Sequence, residues 1–494
     1  MTPRTPRTPR SGRAGRAPGP GLTLEEVVRV TNGTLAVAPP PDRPVAFRHA
    51  AIDSRLVEGG ELFVPLPGTR ADGHDHIADA LARGASGSLA GAAWTAPEEV
   101  VRRGAPVIAV GDPLVALQAL ATHCRARAEI PCVAVTGSNG KTTTKEMIAA
   151  VLGTRLRVHK NVGNQNNHIG LPLTLTRLRP EHDALVLELA MRAKGEIAEL
   201  ARICRPDVGV FTVVAEAHLE RLGSLEAIAD AKSELADAVP PTGLVVLNAD
   251  DPLLWERHRA RPTPKRSYAI DNPEADLRPI DVTVGAEGGT RFTLSDGSAF
   301  ALALLGRHNV RNALAAILVG DHFGVPRAEA AAALAALPAP PHRLDLVRAG
   351  GIAILDDCYN ANPASMAEAL DLLASMDASG ARRAVLGDML ELGPMSAALH
   401  EAVGRRLSPT SWLYATGAFA DAVARGARQA GVPDERIRVF ESAEALVDAV
   451  RRETRAGDLV LVKGSRGMRL ERVVDALAPG RAGNGATLAA AGRE

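Results

Sequence analysis

The sequence predicts an α/β protein of three domains, and three observations carry that prediction. Short apolar runs alternate with helical stretches along most of the chain, the pattern of parallel sheets covered by helices. One run, at 132–136, enters a glycine-rich loop that leads into a helix. The 494 residues also exceed what one core organises, at roughly 100–200 residues per domain. Composition narrows the function classes. No apolar run approaches the roughly 18 residues of a membrane span, so membrane insertion is not expected. Basic and acidic residues balance at 57 each, and the chain has only 8 Phe, 3 Tyr and 3 Trp, against a general nucleic-acid binder that needs a basic field and stacking rings. The cysteines, at 124, 132, 204 and 358, form no close pair and no disulfide framework, which points to a reducing cytoplasm.

In chain order, residues 1–20 repeat Thr-Pro-Arg three times and lack an apolar stretch, so they are expected to be a disordered tail and not a secretory signal. Residues 21–115 alternate short strands and helices, including a strand at 61–66 and a helix near 76–82, and form the first domain. Residues 116–338 form the second, with buried strands at 132–136, 184–188, 208–212 and 244–248. Between 280 and 304 the apolar period drops to two around Glu-Gly-Gly and Ser-Asp-Gly turns, which predicts an inserted β-meander before a helix starting near Asn309. Residues 339–479 resume the alternation, with strands at 352–355, 384–386, 412–415, 438–440 and 459–462. That third domain reads as doubly wound and Rossmann-like, without a G-x-G-x-x-G dinucleotide fingerprint. Residues 480–494 are expected to be a second disordered tail.

The strongest chemical signal is the segment Val-Ala-Val-Thr-Gly-Ser-Asn-Gly-Lys-Thr-Thr at 133–143. A strand running into Gly137, Ser138, Asn139 and Gly140 lets backbone amides converge on phosphate oxygens at a helix N-terminus. Lys141 adds a point charge, Thr142 offers a hydroxyl suited to Mg²⁺, and Thr143 continues the loop into the helix. Ligands of open parallel sheets sit beyond the carboxyl ends of the strands. Glu188 and His218 follow later strands of the same sheet and can converge there. Glu188 suits Mg²⁺, whereas His218 is a less typical ligand and could act through a water. Asp356, Tyr359, Asn360 and Asn362 follow the first strand of the third domain, where a switch-point ligand would bind; Asp356 could orient phosphates or an entering amine, and Asn-Ala-Asn-Pro could equally cap a helix. Lys463 follows the last strand and is a candidate for a substrate carboxylate. Lysine occurs at only seven positions, 141, 145, 160, 194, 232, 265 and 463, so each marks a place where arginine does not stand in.

Together with 161–174, 188–197, 217–224, 306–316, 356–366 and 385–393, the phosphate loop resembles the Mur ligases, in order, from about residue 22 to 478. The resemblance implies an N-terminal domain for a uridine nucleotide, a central ATPase and a C-terminal domain receiving an amine. It implies ATP and two Mg²⁺ ions as cofactors, with Thr142, Glu188, His218 and a CO₂-carbamylated Lys232 as metal ligands. Asn309 would lie near the adenine and Arg343 would reach the phosphates from the third domain. Asp53, Ser54, Arg55 and the segment 68–74 would contact the uridine diphosphate, and Asn164, Asn166 and Asn167 the peptide substrate. The implied substrates are a UDP-N-acetylmuramoyl tripeptide and D-alanyl-D-alanine, joined in the cytoplasm by a monomer. The Tyr-Asn-Ala-Asn-Pro segment at 359–363 separates this reading from the family member that adds the third amino acid, which typically carries Asp-Asn-Pro-Arg there, and from folylpolyglutamate synthetase. A phosphate-loop protein that uses ATP for regulation or assembly is the alternative from another class.

Overall fold

The computed structural model describes residues 21–42, 44–68, 71–216, 219–285 and 288–479. Both expected tails, together with Thr69, Arg70 and His218, lie outside them. The first domain has a five-stranded sheet in the order Thr34–Val37, Val107–Val110, Gly87–Gly91, Leu62–Phe63, Ala50–Ala51, parallel except for the first pair. The strand expected at 61–66 shrinks to Leu62–Phe63. Pro65 and Pro67 have no amide to donate to a ladder.

Asp112 caps the helix Pro113–Arg127, accepting from the amides of Leu114 (2.7 Å) and Val115 (3.2 Å). This helix runs through the expected domain boundary at 115. Ala116, Leu117 and Leu120 pack into the first domain's core with Phe47 and Leu62, whereas Ala121 joins the second core beside Leu185. The helix is thus shared by two cores, because a regular helix presents several faces and different ones are claimed by each domain.

The second domain is built on six parallel strands ordered Lys265–Tyr268, Leu244–Asn248, Val208–Phe211, Cys132–Thr136, Ala184–Glu188, Val158–Lys160. All five residues of Cys132–Thr136 are buried, as a central strand covered on both faces requires. Chain order reverses at this strand, which opens a crevice at its carboxyl end. The expected meander is present as Pro279–Val284, Thr290–Leu294 and Ala299–Leu302. The helix after it, Arg307–His322, packs along the phosphate-loop helix Lys141–Gly153. A side chain at Gly320 would come within 2.7 Å of Val151 Cγ1, so the glycine permits the close approach.

The third domain has the order Asp345–Ala349, Ile352–Asp357, Leu459–Lys463, Arg382–Leu386, Trp412–Thr416, Ile437–Phe440. Five strands are parallel, and the edge strand Asp345–Ala349, absent from the sequence reading, pairs antiparallel with Ile352–Asp357. The five strands expected in this domain are all present, each within two residues at either end.

Candidate active site between the second and third domains

The phosphate loop is shaped by what its glycines exclude. Gly137 has φ 151° and Gly140 φ 78°, and a Cβ would lie 1.8 Å from Thr212 Oγ1 at the first and 2.6 Å from Asn312 Oδ1 at the second. The chain after Val208–Phe211 pins the loop from one side. Ser138 N donates to Val213 O (2.6 Å), Ser138 Oγ to Ala215 O (3.0 Å), and Thr212 Oγ1 to Asn139 O (2.5 Å). Lys141 Nζ folds back onto the carbonyls of Gly137 (2.9 Å) and Ser138 (3.1 Å). Burial holds its pKa below the ordinary lysine value, with the Glu188 carboxylate opposing that shift.

Glu188 closes the other side of the crevice. Its Oε2 accepts from Thr142 Oγ1 (2.7 Å) and its Oε1 from Asn166 Nδ2 (2.7 Å). Asn161, a residue that sequence reasoning missed, fixes the Glu188 backbone by accepting from its amide (3.0 Å) and donating to its carbonyl (3.1 Å). Asn161 opens a motif that carries the family resemblance, so a signal was present without a role attached. Asn167 Oδ1 is occupied in accepting from the amides of Ile169 (3.1 Å) and Gly170 (2.8 Å), where the helix Gly170–Thr176 begins, and Asn164 is exposed.

Lys232, on the helix Leu225–Ala238, is 3% exposed and has no hydrogen bond or ion pair with a described residue. Desolvation pulls its pKa well down, and the positive charge of Lys141 adds to the effect. Two other lysines have structural partners: Lys145 Nζ donates to Asn161 O (2.7 Å) and pairs with Glu146, which also pairs with Lys160.

Asn309 and Asn312 line the crevice from Arg307–His322. Asn309 Nδ2 donates to Leu305 O (2.8 Å), and its Oδ1 accepts from Asn312 Nδ2 (3.0 Å). From the third domain, Arg343 Nη2 donates to Thr142 Oγ1 (3.2 Å), while its guanidinium stacks on Tyr359 at 4.1 Å. Both neighbours of Arg343 take left-handed backbone, His342 at φ 61° and Leu344 at φ 50°. Asn139 and Asn362 exchange two amide hydrogen bonds across the domains, 3.0 and 2.7 Å. Asn362 also caps the helix Pro363–Ser375 through Ser365 N (2.9 Å), so the capping role is real and is combined with an interdomain contact.

These groups enclose a cavity of about 240 Å³ whose walls include the phosphate loop, Glu188, Asn309, Arg343, Tyr359, Asn360 and Lys463. Asp356, expected at the site, does not line it. Successive residues of a strand point to opposite faces, and it is Asp357 that faces the cavity. Burial pushes the Asp357 carboxyl up, and Lys463, donating to its Oδ2 at 2.5 Å, pulls it back. Lys463, expected as a free cation for a substrate carboxylate, is 2% exposed and held by Asp357 and by Asn360 O (3.1 Å). His308 and Glu368 also line the cavity and went unnoticed in the sequence. In the first domain, Asp53 pairs with exposed Arg55 (2.6 Å), Ser54 is buried, and His74 bridges Asp72 (2.6 Å) and Gly91 N (2.9 Å). These groups lie apart from the cavity lining.

A phosphate loop at the carboxyl edge of one parallel sheet, met across a cavity by cations from a second sheet, defines a nucleotide-using α/β enzyme class in which two domains complete one site. Models of three domain families match in sequence order: the Mur ligase family catalytic domain at 47–125, the Mur ligase middle domain at 135–320 and the Mur ligase glutamate ligase domain at 342–466. The chain is 38% identical to the UDP-N-acetylmuramoyl-tripeptide–D-alanyl-D-alanine ligase of Bacillus subtilis, covering 92% of this chain and 97% of that one. It is 35% identical to the Escherichia coli protein of the same name, covering 92% and 98%. Among solved structures, MurF from Acinetobacter baumannii superposes with a TM-score of 0.82 at 29% identity, over 93% of this chain and 99% of that one. MurF ligase from Thermotoga maritima in complex with ADP follows at 0.75 and 29%, over 87% and 97%. The chain belongs to the Mur ligase family, and the three-domain expectation stands.

Proposed function

We propose that this chain is an ATP-dependent ligase of peptidoglycan synthesis that joins D-alanyl-D-alanine to the terminal carboxylate of a UDP-N-acetylmuramoyl tripeptide, acting as a cytoplasmic monomer. The observation that carries the reading is the meeting of Arg343 and Thr142 across the domains, which places a third-domain cation on the phosphate loop. The names of the long-covering relatives supply the substrates.

A carboxylate oxygen is a poor leaving group, so it must be exchanged for a better one. The tripeptide carboxylate attacks the γ-phosphorus of ATP, releasing ADP and leaving an acyl phosphate. The dipeptide amine then attacks the acyl carbon, and phosphate departs. Positioning and charge neutralisation do most of this work. The amides of 137–143 cradle the phosphates, and Lys141 exchanges its loop carbonyls for phosphate oxygens. Arg343, steadied by Tyr359, faces the charge that develops on the transferred group. Closure through Asn139 and Asn362 keeps water from the acyl phosphate.

The donor set fits Mg²⁺: Thr142 Oγ1 and Glu188 Oε2 meet at the cavity wall as hard oxygen ligands. Lys232 is a buried amine without a described partner, held toward the neutral form that adds CO₂ and becomes an anionic oxygen ligand. Thr142, Glu188, His218 and carbamylated Lys232 are the residues that would hold the ions. Bound there, Mg²⁺ supplies neutralisation of phosphate charge. ADP release tests the whole reading, using tripeptides ending in diaminopimelate and in lysine. Release that requires both a tripeptide and D-alanyl-D-alanine is expected; ATP hydrolysis indifferent to them would sink the ligase assignment.

A further inference from the structure

Behind the cavity, on the face of Ile352–Asp357 opposite to the proposed active site, three metal-ligating side chains of different chemistry meet. His342 Nδ1 lies 2.9 Å from Asp356 Oδ2, Cys358 Sγ lies 3.0 Å from Asp356 Oδ1, and Cys358 Sγ lies 3.5 Å from His342 Nδ1. Asp356 is fully buried, Cys358 is 1% exposed, and the His342 side chain, at 24%, opens the cluster to solvent. None of the three lines the active-site cavity. The donor atoms of these three residues all lie within 4.8 Å of one another.

We propose that His342, Asp356 and Cys358 form a site for one Zn²⁺-type transition-metal ion, with solvent admitted past the partly exposed His342 as the fourth ligand. Thiolate, imidazole and carboxylate are the ligands such an ion takes in tetrahedral sites, with bonds of about 2.0–2.3 Å that set neighbouring donors about 3.3–3.7 Å apart. The His342–Cys358 separation of 3.5 Å already meets this, and the two contacts to Asp356 are at the shorter distances of hydrogen bonds. On binding, the Cys358 S–H bond is exchanged for a metal–sulfur bond and the proton goes to buffer; His342 ligates through a deprotonated Nδ1. The sulfur–imidazole pair selects against Mg²⁺, which prefers oxygen. The site would clamp the left-handed backbone at His342 and with it the adjoining Arg343.

Co²⁺ titrated into the full-length, chelator-stripped protein in excess Mg²⁺ tests the proposal. A visible tetrahedral d–d band with thiolate charge-transfer absorption, saturating at one ion per chain, is expected. It should vanish in Cys358→Ser and His342→Gln and persist in Cys124→Ser. Zn²⁺ should raise the Tm of the unaltered chain and leave that of His342→Gln unchanged, which keeps the test decisive if Cys358→Ser does not fold. Absence of the band in the unaltered chain, or its survival in His342→Gln, overturns the site.

Discussion

The second and third domains both end parallel strands at one cavity, yet they contribute to it in different ways. The second domain offers a contiguous loop, 137–143, whose amides, ammonium and hydroxyl follow one another along the chain. The third offers single side chains from separate segments: Arg343 before the edge strand Asp345–Ala349, Asp357 at the end of Ile352–Asp357, Tyr359 and Asn362 after it, and Lys463 from Leu459–Lys463. A contiguous loop can be shaped locally by two glycines, whereas dispersed groups depend on strand register, such as the pairing of Asp357 with Lys463. The loop of the second domain is therefore shaped within that domain, and the third adds its charged groups only where the two meet.

The largest expected effect breaks the second domain's half. Lys141→Ala should lower ADP release by about 10³-fold or more, the scale of about 4 kcal/mol for removing a preorganised charge from phosphate. Next comes Lys232→Ala, expected to lose roughly 10²-fold and to regain part of it with added formate or acetate; full activity in the variant would remove the carbamate. The third domain's half is separated by the pair Asp357→Asn and Asp356→Asn. The first should lower kcat by about tenfold or more through loss of the Lys463 pair at the cavity. The second should act on stability, by about 1–3 kcal/mol in denaturant unfolding, with kcat nearly unchanged. The reverse ranking would place the wrong face of the strand at the site.

Smaller again is Asn139→Ala, which removes both amide bonds to Asn362. It should cost about 1 kcal/mol of interdomain coupling, read as a several-fold rise in KM. The smallest effect concerns acid. Burial pushes His159 and His258, both in the second domain, down to about 4. A depressed folded pKa means the unfolded chain binds more protons below the ordinary value of about 6.5, so stability is intact above that pH and falls as pH drops toward 4. Thermal unfolding from pH 7.5 to 4.5 should show this loss, and His159→Gln should flatten it.

Legibility in the sequence tracked locality. The loop 137–143 was readable because its strand–turn–helix is made of consecutive residues, and the strands of the third domain because buried parallel strands are continuous apolar runs. Asp356 was expected at the site because it stands at the end of a predicted strand, and only the strand's alternation separates it from its neighbour Asp357. Asn161 was overlooked because its bonds go to the backbone of Glu188, 27 residues away. Lys463 looked available because its partner, Asp357, is 106 residues distant.

By itself, then, the sequence determined the class of fold, the three-domain plan and the phosphate loop, since apolar period and turn chemistry are properties of neighbours along the chain. Tertiary structure alone decided which aspartate faces the cavity, which lysine is neutralised and which amides join the domains. Those outcomes rest on the sense of a strand's alternation and on contacts across long separations, and neither is written in the residues next to them.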